Sequence, residues 1–256
     1  MRRFLIAGNW KMNKTATEAV MLVRQFFEQL PKTSRVDIIL APPFTALPAV
    51  AGTLGPQTPH VSLGAQNVFW EDHGAFTGEV SAPMLADLHC QYVIVGHSER
   101  RQLLGETDAA VAKKITALLR HGLRPIVCVG ETKDERLRHE TERVVSRQIL
   151  GGLGHLSADQ LDFVTIAYEP VWAIGTGEAA SVDQAALVHR HIRTVMTSQW
   201  KTSVGHNIRI LYGGSVNAKN AGTFLASPEV NGALVGGACL DPAAFATIAA
   251  IAEATS

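Results

Sequence analysis

An α/β fold, a single (β/α)8 barrel with parallel strands, is what this sequence predicts, and three observations predict it. Short apolar runs recur roughly every 25–45 residues, each followed by a polar or Gly-rich turn and then by helical periodicity. Most runs are too uniformly apolar for a half-exposed sheet, so they read as parallel strands buried on both faces. The length, 256 residues, is close to the roughly 250 residues of such a barrel. Alternation repeated eight times favours a closed barrel over an open doubly wound sheet. No linker, low-complexity tract or repeat interrupts the chain, so residues 1–256 read as one domain.

The candidate strands, in order, are Phe4–Ala7, Val36–Leu40, Val61–Leu63, Tyr92–Val95, Arg124–Val129, Phe163–Ala167, Ile208–Leu211 and Ala233–Val235. Helices between them are checked by spacing. Val111, Ile115, Leu118 and Leu119 share one side of a helix near Asp108–His121, with Gly122 placed where a C-terminal stop belongs. Val188, Ile192, Val195 and Met196 follow an i, i+4, i+7, i+8 stripe, the mark of one buried face. Ser181 with Gln184 three residues later makes a capping box at the start of that helix.

Composition excludes several classes. Hydrophobic residues make up 46% of the chain and charged residues 18%, which suits a large core and not a disordered chain. Lys plus Arg and Asp plus Glu each number 23, so there is no basic excess for nucleic acid, and any bound anion must be held by local geometry. Cys90, Cys128 and Cys239 are odd in number and far apart, which argues against a disulfide framework or a zinc site. The apolar run after Arg2-Arg3 stops at Gly8 and is too short for a signal-peptide core. The Ala-rich stretch from Ala243 to Ala252 is too short to span a bilayer. A soluble cytoplasmic protein, with no membrane partner, is the expectation.

In such barrels chemistry sits at the C-terminal ends of the strands. The first strand runs into Gly8-Asn9-Trp10-Lys11, where a Lys can project its ammonium into the mouth or simply be solvated. The fourth runs into Gly96-His97-Ser98-Glu99. Here an imidazole at the start of a helix is disfavoured as a cation and serves as a neutral donor, or else is a hydrogen-bonded core residue. The sixth runs into Tyr168-Glu169-Pro170, where apolar neighbours would desolvate a carboxylate and make it more basic, unless Glu169 is merely structural. Apolar anchors with Gly175 and Gly177 follow, the composition of a loop that folds over something. The last two strands end in Gly213-Gly214-Ser215 and Gly236-Gly237, where backbone N–H groups can approach a phosphate closely.

Taken together, these segments resemble the triosephosphate isomerase family along essentially the whole chain. AGNWKMN, GAQN, GAFTGE, VIVGHSERR, CVGE, AYEPVWAIGTG, LYGGSV and VGG stand in the family's order and approximate spacing, and VGHSERR together with YEPVWAIGTG is highly specific. The resemblance implies a TIM barrel that interconverts two triose phosphates through an enediolate, without cofactor or metal. It implies Glu169 as the base, neutral His97 as the electrophile, and Lys11 as the stabiliser of negative charge, with Asn9 beside it. Phosphate would be held by backbone donors at Gly175, Ser215, Gly236 and Gly237, under a closing lid of residues Pro170–Gly177.

The resemblance also implies a homodimer through the loop Gln66–Glu79, which carries Phe69, Trp70 and Phe76 among polar residues, with Thr77 entering the neighbouring subunit. On the residues alone, that loop could equally fold back on its own barrel. Two departures from the family pattern stand out. Glu178-Ala179-Ala180 occupies the place of a common Lys-Thr-Ala, and Cys239 stands where Ser is usual, next to the phosphate turn. The rival readings are another phosphate-binding barrel isomerase or lyase, and a non-catalytic barrel. A metal-dependent isomerase is disfavoured because no His/Asp/Glu grouping at the strand ends forms an evident ligand set.

Overall fold

Eight strands carry the fold: β1 (Phe4–Asn9), β2 (Val36–Ala41), β3 (Val61–Ala65), β4 (Tyr92–Val95), β5 (Arg124–Val129), β6 (Thr165–Tyr168), β7 (Arg209–Tyr212) and β8 (Gly232–Val235). Each pairs in parallel with the next, and β1 pairs with β8 through Leu5–Gly232 to Gly8–Val235, which closes the barrel. The structure is a computed structural model that describes residues 3–31, 35–55, 60–174 and 180–256. The helices are α1 (Ala16–Gln29), α2 (Leu47–Leu54), α3 (Ala82–Asp87), α4 (Ser98–Leu103), α5 (Asp108–Arg120), α6 (Lys133–Leu137), α7 (Thr141–Leu153), α8 (Val182–Gln199), α9 (Thr202–Asn207), α10 (Ala221–Leu225) and α11 (Pro242–Thr255).

The two-residue period of a strand explains the uniform apolarity. Leu5, Ala7, Ile39, Ala41, Tyr92, Ile94, Ile126, Cys128, Ala167, Leu211 and Leu234 form one buried cluster, which fills the lumen. Their sequence neighbours, among them Ile6, Ile38, Leu40, Val93, Val95, Val127, Ile166 and Ile210, pack outward in a second cluster with the helices. Both faces are therefore largely apolar, and polar residues within the strands, such as Asp37, Ser62, Arg124, Thr165 and Arg209, stand toward their N-terminal ends.

Helix boundaries follow capping chemistry. Ser181 and Gln184 form the expected box on α8, and Thr15 with Glu18 forms another on α1. Thr107 caps α5, which stops at Arg120 before Gly122 at φ 71°. Val111, Ile115 and Leu118 of α5 are buried as expected, and so are Val188, Ile192 and Met196 of α8, whereas Leu119 and Val195 are only partly covered. The Ala-rich C-terminal stretch forms α11, which packs on α1 and β1. Among the described residues no helix is long and apolar enough to cross a membrane.

Some expected strand bounds shift. Phe163 belongs to a 3-10 turn, Gln160–Phe163, is 52% exposed, and leaves β6 to begin at Thr165. Ile208 follows α9 as its cap, so β7 begins at Arg209. In both cases an apolar residue next to the strand belongs to a turn or a helix cap. β1, β2 and β3 instead run longer than their apolar cores suggest, to Asn9, Ala41 and Ala65.

Closure depends on Gly232. Its φ is 141°, and a Cβ there would collide with the backbone carbonyl of Leu5 across the β1–β8 seam. Gly232→Ala should therefore lower stability by roughly 3 kcal/mol in urea unfolding, the combined size of backbone strain and overpacking. Gly222→Ala in α10, where the nearest side-chain atom lies 3.5 Å from the added Cβ, should cause no loss. Equal effects would mean that the seam is not the constrained point.

Candidate active site

Backbone ladder bonds continue past the ends of the strands and fix the mouth. Trp10 N–H donates to Ala41 O, Glu169 N–H to Val129 O and Gly213 N–H to Tyr168 O, at 3.1, 2.8 and 2.8 Å. The lumen parity of Leu5, Ala7 and Leu211 then carries Asn9 and Gly213 to the rim on the inner side. Asn9, Lys11, His97, Glu169 and Ser215, with Gly236 and Gly237, line one cavity of about 270 Å³. Gly175, the remaining candidate phosphate donor, lies outside the described residues, as do Thr176 and Gly177 of the candidate lid and Glu178 and Ala179 after it.

Glu169 sits at the centre with only 2% of its surface exposed. Its Oε1 is 3.0 Å from His97 Nε2, and its Oε2 accepts the Ser98 N–H at 3.0 Å. His97 caps α4, and its Nδ1 accepts the Glu99 N–H at 3.2 Å. That bond makes Nδ1 an acceptor and places the ring proton on Nε2, facing Glu169. Gly213 makes room for the Glu169 side chain, because a Cβ there would stand 2.8 Å from Glu169 Cγ.

Lys11 adopts φ 54°, unusual for a residue with a side chain. Its N–H donates to Asn9 Oδ1 at 3.0 Å, and its carbonyl accepts from Gln66 Nε2 at 2.9 Å. Nζ donates to Glu99 Oε1 at 2.6 Å and stands 3.9 Å from where a Cβ on Gly236 would be. Gly237 begins a 3-10 turn, Gly237–Leu240, and nothing lies within 4 Å of the position its Cβ would take. Ser215 Oγ donates to Ala173 O at 2.7 Å. This hydroxyl ties the last strand ends to the turn Val171–Ala173 after Glu169.

The electrostatics correct one expectation. Burial does push Glu169 upward, but His97, the Ser98 N–H and Lys11 outweigh it, and the carboxyl is held below its ordinary value. For His97, burial pushes downward, while Glu169 and then Glu99 push it up, and the net direction is up. Apolar neighbours in the sequence could not reveal that both oxygens of Glu169 have donors. Cys128 is driven well above the usual thiol range by burial and by Glu169, and burial pushes Cys239 up to about 12, so neither thiol is a nucleophile.

Sequence reasoning passed over Glu99, Ser98 and Gln66, which position Lys11 and Glu169. Their signal was only adjacency to His97 and to the GAQN segment. It also missed Glu131, fully buried, which accepts from Tyr168 OH at 3.1 Å and from Trp172 Nε1 at 2.9 Å, with Arg136 Nη1 at 3.4 Å. No group of His, Cys, Asp and Glu that could hold a metal occurs among the described residues.

Comparison with known proteins bears on the same residues. The family model described as "Triosephosphate isomerase" matches residues 4–252. A triosephosphate isomerase of Chloroflexus aurantiacus is 50% identical over 248 residues, 97% of this chain and 98% of that protein. Those of Geotalea uraniireducens and Moorella thermoacetica are 48% identical over 253 residues and 50% over 248. They cover 99% and 97% of this chain and 100% and 98% of their own lengths. Since the match runs unbroken from the first strand into the last helix, the chain belongs to the triosephosphate isomerase family.

Proposed function

We propose that this chain interconverts glyceraldehyde 3-phosphate and dihydroxyacetone phosphate, with Glu169 as base, His97 as electrophile and Lys11 as the cation beside the reacting oxygens. The observation that carries the assignment is the 3.0 Å approach of Glu169 Oε1 to His97 Nε2 in a cavity that also holds Lys11 and the open Gly236-Gly237 turn. A substrate with its phosphate on that turn lays its carbonyl carbons between carboxylate and imidazole. Glu169 leaves the Ser98 N–H and takes the proton from the carbon next to the carbonyl, while His97 Nε2–H and Lys11 Nζ stabilise the enediolate oxygens. His97 moves a proton between the two oxygens, and Glu169 returns its proton to the neighbouring carbon. This is the division of labour known for triosephosphate isomerases. Once Glu169 turns to the substrate, the larger of the two influences that raise His97 is gone, Glu99 alone remains, and burial pushes toward the neutral ring.

Phosphate is assigned to backbone N–H groups of Ser215, Gly236 and Gly237, which line the cavity, and of Gly175, which the family pattern adds, because the chain has no net charge to attract anions. The lid is assigned to Pro170–Gly177, anchored by Trp172 on Glu131. Its closure disfavours loss of phosphate from the enediolate. The whole chain, 1–256, is taken as one domain in the cytoplasm, a reading supported by three free and buried thiols.

A homodimer completes the proposal. In the loop Gln66–Glu79, Phe69 stacks on Trp70 at 4.2 Å and meets Phe76 at 4.6 Å, which stiffens the loop and leaves Phe76 and Thr77 exposed. Beside Lys11 and His97 lies a cavity of about 400 Å³ walled by Met12, Phe44, Leu103 and Leu104. Met12 is 95% and Leu103 77% exposed, an apolar surface that awaits cover. Loop and cavity on the same chain are self-complementary under a twofold axis.

Glu169→Gln should keep the fold and lower turnover by roughly a thousandfold or more, within the range for a general base. Near-normal turnover in a coupled assay on glyceraldehyde 3-phosphate would sink the assignment. Replacing Gly237 by Leu should sharply weaken inhibition by free phosphate or sulfate while leaving the thermal midpoint nearly unchanged. Undiminished anion inhibition would put the phosphate site elsewhere. Thr77→Arg with Gly78→Asp should sediment as a monomer of greatly reduced activity. A monomeric variant with full turnover would show that the loop does not support the site.

A further inference from the structure

Gly130 stands where β5 ends, and it lacks a side chain for a steric reason. A Cβ there would run into the backbone carbonyl of Glu169. Its neighbours hold the chain around Glu169 by hydrogen bonds: Val129 O accepts the Glu169 N–H at 2.8 Å, and Glu131 O accepts the Val171 N–H at 3.1 Å. Residues 129–131 thus form a cradle for residues 169–171, and strand pairing ends before its middle, at Val129–Tyr168. A side chain holds that middle instead. Gln148 of α7, only 4% exposed, accepts the Gly130 N–H on Oε1 at 2.7 Å and donates Nε2–H to the Gly130 carbonyl at 3.2 Å. A carboxamide is the one uncharged fork that offers an acceptor and a donor side by side. Among the described residues this amide bonds nothing else.

We propose that Gln148 is a positioning residue for the isomerisation: its amide fixes Gly130, and through Gly130 the backbone from which Glu169 reaches the substrate. The role rests on the reading of Glu169 as base. Gly130 abuts the Glu169 peptide with no side chain between them, so a shift of one passes directly to the other. Without the fork, the buried N–H and C=O of Gly130 lose their partners, and the segment must move to find others. A displacement of about 1 Å at a reacting group costs roughly a hundredfold in rate. Gln148 does not line the substrate cavity, so it acts on the rate through Glu169 and not on the ligand. Its loss therefore lowers kcat and leaves KM nearly unchanged.

The test is steady-state kinetics on glyceraldehyde 3-phosphate, with the thermal midpoint measured for each variant. Gln148→Met keeps the length of the side chain and removes the fork. It should lower kcat at least tenfold while KM moves less than twofold. Leu153→Ala, a buried truncation at the far end of α7, should lower the thermal midpoint and leave kcat within twofold of native. Loss of kcat in step with the midpoint in both variants would make Gln148 merely structural and overturn the role. In a Glu169→Gln background, Gln148→Met should lower the residual rate less than twofold, and a full tenfold loss there overturns action through Glu169. Gln148→Glu gives a second route that survives poor folding of the Met variant. Its carboxyl would share a cavity with Arg101, Glu106, Asp108, Glu135, Arg147 and Glu169, so burial and four carboxylates against two guanidiniums push its pKa up. The ionised form opposes the Gly130 carbonyl, whereas the neutral acid restores one donor and one acceptor. The ratio of its kcat to native kcat should therefore rise as pH falls, and a flat ratio overturns the proposal. Native kcat in Gln148→Met beside an inactive Glu169→Gln overturns the positioning role alone. Normal turnover in Glu169→Gln overturns the base and this role with it.

Discussion

Everything at the mouth of this barrel depends on one constraint, the closure of a parallel ladder between β1 and β8. Parallel strands all end at the same rim, so closure gathers residues that are far apart in sequence onto one ring. The ladder bonds that run past the strands convert this gathering into geometry. Glu169 and Gly213 both donate N–H groups to neighbouring strands, so Glu169 and the space it occupies are set by backbone and not by side-chain packing. A glycine is required at 213 for the same reason, since Glu169 Cγ fills the place of a Cβ.

Placing carboxylates in so dry a ring is costly unless each has donors. Glu169 has His97 and the Ser98 N–H, and the fully buried Glu131 has Tyr168, Trp172 and Arg136. The two sites are joined through the backbone at Tyr168-Glu169. Tyr168 points outward to Glu131, with its hydroxyl pushed up by burial and by that carboxylate, while Glu169 points inward to the cavity. The donors of Glu131 on one side thus help fix the backbone that carries Glu169 on the other. Buried Lys114 does similar work at the rim, where it pairs with Glu106 and donates to Asn67 at 2.7 Å, tying α5 to the start of the loop after β3.

How much of this was legible in the sequence differs by level. Strand order and the barrel could be read because both faces of each strand are buried, which leaves runs such as Arg124–Val129 almost without polar interruption. Ends could not be read as well. Phe163 and Ile208 are apolar but lie in a turn and a helix cap, and nothing in hydropathy distinguishes a residue that pairs from one that only packs. Lys11, His97 and Glu169 were visible as polar residues abruptly following apolar ones. Glu99 and Gln66 were not, because their importance lies in contacts 88 and 55 residues away in sequence. The pKa of Glu169 went the same way. Local sequence shows the burial that raises it, and only the fold shows the donors that lower it.

Lys11 shows how a chain without net charge can still present a directed cation. Its backbone sits at positive φ, a cost that persists only where the surroundings over-determine it. Asn9 and Gln66 grip its two peptide groups, and Glu99 takes its ammonium at 2.6 Å. The cation is therefore aimed before any ligand arrives, and its charge is balanced by a carboxylate that is itself nearly half exposed. On the proposed reading of Lys11, a phosphate ester would replace a partner that water can readily solvate, so little would be lost as Glu99 gave up the ammonium. The arrangement stores direction instead of net positive potential, which is the only way local geometry can substitute for a field the composition does not supply.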